Sequence, residues 1–165
     1  MTLHAQGIAR AGDWAGPAIA RLVLDYEGRF LRRKRLVSEE GQAVMVDLAE
    51  TVSLGAGDAL MASEGAVEVV AAPEALIRVA GDLPRLAWHI GNRHTPCQIA
   101  GDHLLIRADH VLEAMLMGLG ATLSPVTAAF TPEGGAYGYG RTHGHAHGPA
   151  DHHRADHHHA HHHDV

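Results

Sequence analysis

From Thr131 to the end the chain is built largely of Gly, Ala, His and Asp, and no large aliphatic residue returns until Val165. Such a segment buries too little apolar surface to offset the entropy of ordering it, so residues 133–165 are expected to form a disordered His-rich tail. Any core must come from the residues ahead of it. That length suits one large domain or two small ones.

The chain ahead of the break changes character near Pro73. Up to Ala72, "AVMVDL" (43–48), "TVSL" (51–54), "ALMAS" (59–63) and "AVEVVA" (66–71) are short and Val-rich or alternating, with turn signals at Glu40-Gly41, Gly55-Ala56-Gly57-Asp58 and Glu64-Gly65. Closely spaced strands of this kind predict a small all-β domain over 1–72. From 73 the pattern mixes periods. "EALIRVA" (74–80) reads as a strand, and "DLPRLAWHIG" (82–91) as a helix capped by Asp82 with Pro84 in its first turn. "TPCQI" (95–99) and "HLLIRA" (103–108) read as a hairpin, "DHVLEAMLMGLG" (109–120) as a helix capped by Asp109, and "TLSPVTAAF" (122–130) as a last strand. The order β-α-β-β-α-β predicts a ferredoxin-like domain over 73–132. The expected class is therefore α+β: an all-β domain, a ferredoxin-like domain and a His-rich tail.

Charge and composition narrow the function. The formal charge is −6 with His neutral, and sixteen added protons would carry it to +10. A mildly acidic protein at neutral pH is a poor general binder of nucleic acid. The first residues, MTLHAQGIARAG, hold no apolar run long enough for a signal peptide, and no apolar run of about 18 residues is present, so no leader and no membrane span are expected and the cytosol is the expected compartment. Cys97 is the sole cysteine. His94 lies three residues from it, but no acid and no oxyanion-hole motif accompanies the pair, so a structural thiol is preferred over a nucleophile and no enzyme is expected.

Histidine is the chemistry that remains. Eleven of the sixteen lie in the tail. His143, His145 and His147 alternate with small residues. His152 and His153 form a pair, and His157, His158, His159 and then His161, His162, His163 form two triplets. Neutral imidazole is a good ligand for Ni, Zn and Cu(II). Asp151, Arg154, Asp156 and Ala160 break the pattern in a way an engineered run would not, and metal binding is preferred over a solubilising tail.

In the body, "HIGNRHTP" (89–96) holds two histidines five apart. At ~100° per residue these sit ~140° apart on a continuous helix and cannot chelate one ion from it. Gly91-Asn92 can end the helix and leave His94 on the next turn. Two readings of His94 stay open, a helix C-terminal cap and a metal ligand; His89 reads as a hydrogen-bonded residue under the helix. His110, in the first turn of the second helix, reads as an exposed helix-start residue with a ligand or ligand-positioning role as the alternative. His103 reads as surface.

The run "RFLRRKRL" (29–36) holds Arg29, Arg32, Arg33, Lys34 and Arg35. It reads equally as a strand edge protected by charge and as a docking patch for an acidic protein. Nucleic acid ranks third, because no set of stacking aromatics accompanies the cations.

Several of these blocks together resemble the UreE family, the urease accessory proteins that carry nickel. "HIGNRHTPCQI" (89–99), "DHVLEAMLMGLG" (109–120) and "FTPEGGAYG" (130–138), followed by the His-rich end, are similar to that family's second domain and tail; "RKRL", "VDL" and "GDALMASEG" are similar to its first. The resemblance implies a peptide-binding-like first domain and a homodimer formed through the second. His94 would lie at the dimer surface and bind nickel, with Zn or Cu able to substitute. His89 and His110 match family histidines of lesser or variable role, and Ala108 stands where some relatives carry another histidine. The implied partners are a GTP-hydrolysing accessory protein and the urease apoprotein–accessory complex. A two-fold axis would double His94. The 13 residues from Phe130 to His143 span about 20 Å as a flexible chain, enough to bring tail imidazoles back to that axis. General metal storage by the tail, and an interaction module with incidental metal binding, are the rival readings.

Overall fold

The computed structural model describes residues 1–135; the His-rich run, with its eleven candidate ligands and its expected disorder, lies outside them. The described chain is α+β, strand-rich with two helices, and its strands form two sheets.

The first sheet has six strands: β1 (Thr2–Ala9), β2 (Ala20–Leu24), β3 (Phe30–Val37), β4 (Ala43–Ser53), β5 (Ala59–Ala62) and β6 (Gly65–Ala71). A single 3-10 turn, Glu27–Arg29, leads into β3. The spatial order is β2-β6-β5-β1-β4-β3. Period-two alternation drives it: Leu3 and Ala5 of β1 and Val44, Val46 and Leu48 of β4 point inward, while His4, Gln6, Met45 and Asp47 point out. The two strands expected at 43–48 and 51–54 are one strand. Its pairing with β3 jumps from Val52 to Asp47, a bulge that lets the polar residues around Glu50 pass without ending the strand. β5 and β6 meet at a tight turn that ends on Gly65 (φ +148°), where an added Cβ would lie 2.8 Å from Ile19 Cγ2.

β6 ends at Ala71 and β7 begins at Pro73, in the other sheet. There β7 (Pro73–Ala80), α1 (Leu83–Asn92), β8 (Gln98–Ile99), β9 (Leu104–Arg107), α2 (His110–Gly118) and β10 (Thr122–Ala129) follow in turn. The strands lie in the order β10-β7-β9-β8, with all neighbours antiparallel. Leu86 and Ile90 of α1 and Leu112 and Leu116 of α2 pack on Ile77, Val79, Leu104 and Ile106. β8 is shorter than the expected 95–99, because Pro96 has no N–H to donate and the Thr95 N–H caps α1.

A third apolar cluster joins the sheets: Tyr26, Leu76, Leu105 and Phe130. Tyr26 and Phe130 meet edge to face at 5.5 Å, and Arg107 lies 4.9 Å above the Tyr26 ring while pairing with Glu27 at 2.8 Å. Arg29 is buried at 2 % exposure and donates to the carbonyls of Leu24, Leu54 and Phe130. The sequence groups Arg29 with the exposed cations after it; the structure separates them, and Arg29 serves the junction.

Candidate metal centre

His94 owes its position to the way α1 ends. The helix starts on Asp82, whose side chain accepts from the Arg85 N–H, and runs through Gly91 to Asn92. Arg93 is the last half-turn. His94 then takes φ +55°, the only positive φ at a non-glycine among the described residues. Its N–H donates to Gly91 O at 2.9 Å, and the Thr95 N–H donates to Ile90 O at 3.4 Å. These two bonds make a Schellman cap with His94 at the position that glycine usually fills. A β-carbon there costs about 1–2 kcal/mol. The turn lifts His94 off the helix and leaves it exposed. His89, within the last turn, is half-buried, with its ring edge-on to Trp88 at 5.0 Å.

His110 is the first residue of α2 and is exposed. The Asp109 carboxylate accepts from the Val111 and Leu112 N–H groups at 2.9 and 3.0 Å, and Glu113 accepts from the Asp109 N–H at 3.0 Å. This reciprocal cap holds the helix start rigidly. An open depression of about 460 Å³, lined by Ala75, Thr95, Pro96, Arg107, Ala108 and Asp109, lies between the segment after His94 and the residues leading into His110.

The remaining candidates are engaged elsewhere. His103 Nδ1 sits 2.6 Å from Asp102, and that hydrogen bond, with the charges of His103 and Arg78, holds the Asp102 carboxyl below the usual range. Burial, aided by the Glu133 charge, pushes the Cys97 thiol up to about 11, so it is a protonated, poorly nucleophilic thiol at neutral pH. Among the described residues no group of three or more His, Cys, Asp or Glu is placed to hold a metal ion.

One contact was invisible to pattern reading. After β10, the Thr131 N–H donates to Gln98 Oε1 at 2.9 Å and the Glu133 N–H to Cys97 O at 2.8 Å. The chain that leads to the histidine-rich run is therefore pinned beside Cys97, three residues from His94. No sequence periodicity signals such a backbone-to-loop contact.

The model for the N-terminal domain of the UreE urease accessory protein matches residues 3–72, and that for the C-terminal domain matches 67–163. The chain belongs to the UreE family. Similar proteins include urease accessory protein UreE of Cereibacter sphaeroides, 58% identical over 148 residues that cover 89% of this chain and 81% of that one. The UreE of Ruegeria pomeroyi is 58% identical over 142 residues, 85% of this chain and 95% of that one. That of Rhodobacter capsulatus is 54% identical over 147 residues, 88% and 94%. Both UreE domain models thus fall on the two sheets described above, and the second extends across the histidine-rich run.

Proposed function

We propose that this chain acts in urease maturation as a nickel carrier, with Ni²⁺ as cargo. The observation that carries the reading is His94, set at a strained cap position in a UreE-family chain whose Glu133, ten residues before the first histidine of the terminal run, bonds to Cys97. Strain retained at an exposed residue is expected where the residue does something a relaxed one would not. In this reading the second domain, 73–132, is ferredoxin-like and forms a homodimer, and the first, 1–72, is a peptide-binding-like module. Two copies of His94 meet at the two-fold axis and contribute one imidazole each.

The histidines from His143 to His163 supply further nitrogen donors. Their tether near Cys97 keeps them at an effective concentration of order mM around the axis. His110, across the depression, is a subsidiary donor. Exposed imidazoles exchange readily, which suits transfer to a GTP-hydrolysing accessory protein and the urease apoprotein complex in the cytosol. Imidazole must be neutral to bind, so mild acid releases the ion. Zn²⁺ and Cu²⁺ fit the same ligands, Cu²⁺ most tightly. The protein does no catalysis of its own; a protonated Cys97 supports that view. No helix among the described residues is long and apolar enough to cross a membrane.

A second reading, metal storage, is favoured by the eleven histidines of the terminal run alone. Urease activation with limiting nickel separates the two. For a carrier, His94→Ala lowers activation several-fold even with the terminal histidines intact. For a store, His94→Ala activates fully and deletion of 143–165 is the damaging change.

A further inference from the structure

The run Arg32-Arg33-Lys34-Arg35 has no part in the nickel reading. It lies on β3, the last strand of the first sheet, paired with β4 on one side and, among the described residues, with no strand on the other. All four side chains are exposed. Successive strand residues point to opposite faces, so the cations stand on both sides of the sheet at its rim. Arg33 bonds Asp47 at 2.9 Å, and Arg35 lies opposite Met45. Lys34 lies opposite buried Val46 and is itself exposed. Among the described residues Arg32, Lys34 and Arg35 make no ion pair. Nor does the backbone of 32–37 bond to any described backbone group beyond β4. Beside the rim an open depression of about 550 Å³ is lined by His4, Gln6, Arg35, Asp47 and the partly exposed Met45.

We infer that the outer edge of β3 docks an extended acidic segment of a partner protein, which adds to the sheet as a further strand. Its carboxylates meet Arg32, Lys34 and Arg35, and one apolar side chain rests on Met45 in the depression. Geometry favours the edge over the face. A partner flat on one face would reach only the cations of that face, whereas an added strand has side chains on both. Charge sets the selection. Cations on an edge repel basic strands, the same edge of other copies of the chain included, lose hydration without compensation beside a neutral strand, and attract carboxylates. The chain as a whole carries −6, so the positive rim is local and steers a partner to one place. Four residues of β3 span about 13 Å, so a partner stretch of about four to six residues fills the edge.

The test uses the full-length protein at about pH 8, where imidazoles are neutral and add no positive charge. The probe is a fluorescein-labelled octapeptide of alternating Glu and Val, read by anisotropy, with the Lys-Val octapeptide as control. The acidic peptide is expected to bind and the basic one not. Lys34→Glu with Arg35→Glu should weaken binding by about tenfold or more, and the milder Lys34→Gln with Arg35→Gln by less. Backbone amides of 32–37 should exchange more slowly in the complex, and nickel uptake should be unchanged. The inference fails if the acidic peptide does not bind, if both double variants bind it as the parent does, or if protection appears away from β3. It also fails if heparin or phosphatidylserine vesicles engage these residues and the peptide does not.

Discussion

At the scale of single residues, His94 carries a backbone cost. Its φ of +55° suits glycine, and the Schellman bonds to Gly91 and Ile90 hold it there. His94→Gly should therefore raise stability by about 1 kcal/mol, seen as a higher thermal midpoint, while nickel binding falls. A variant with less stability would show that the imidazole itself braces the turn. Cys97 tests the electrostatics of the same loop. With its thiol pushed up to about 11, roughly one molecule in a thousand carries a thiolate at pH 8. Alkylation by iodoacetamide should be slow there and accelerate towards pH 11. Because the folded state holds this proton more tightly than the unfolded chain, Cys97 lowers stability as pH rises from 9 towards about 11 and has no such effect below. Rapid alkylation at pH 8 would contradict the burial argument.

At the scale of elements, the helix starts illustrate what a sequence makes legible. Asp82 and Asp109 both stand just ahead of an apolar 3.6-residue repeat, and both cap the helix they announce. Asp109→Ala removes two acceptor contacts, to Val111 and Leu112, and should cost about 1 kcal/mol in chemical unfolding, with faster amide exchange confined to the first turn of α2. An unchanged midpoint would mean Glu113 alone suffices. The strands were less legible. β1 alternates only through Leu3 and Ala5, too weak a signal to stand out, and β2 has just Ala20 and Leu22 inward. β4 carries polar residues at its bulge, which read as a break. At α1 the Gly91-Asn92 pair looks like the stop, yet the helix includes both and the left-handed residue is His94, held by the capping bonds to Gly91 and Ile90. Arg29 reads as one of a basic run, and only three-dimensional contacts reveal it as buried.

At the scale of the whole molecule, the two sheets meet through Tyr26, Leu76, Leu105 and Phe130, with the Arg29 guanidinium satisfying carbonyls from both sides. Phe130 and the residues just after it run on to Gln98 and Cys97, where Thr131 and Glu133 are bonded. The proposed nickel ion, shared by two chains and approached by tethered imidazoles, rests on His94 and on the family rather than on that junction. The most direct test is calorimetric Ni²⁺ titration, with the mass of the complex determined in parallel, on protein lacking 143–165. The account predicts that the shortened protein remains a dimer, keeps an ion between its two copies, and loses that ion on His94→Ala. A shortened protein that takes up no nickel, or one that binds it equally well with alanine at position 94, would contradict it.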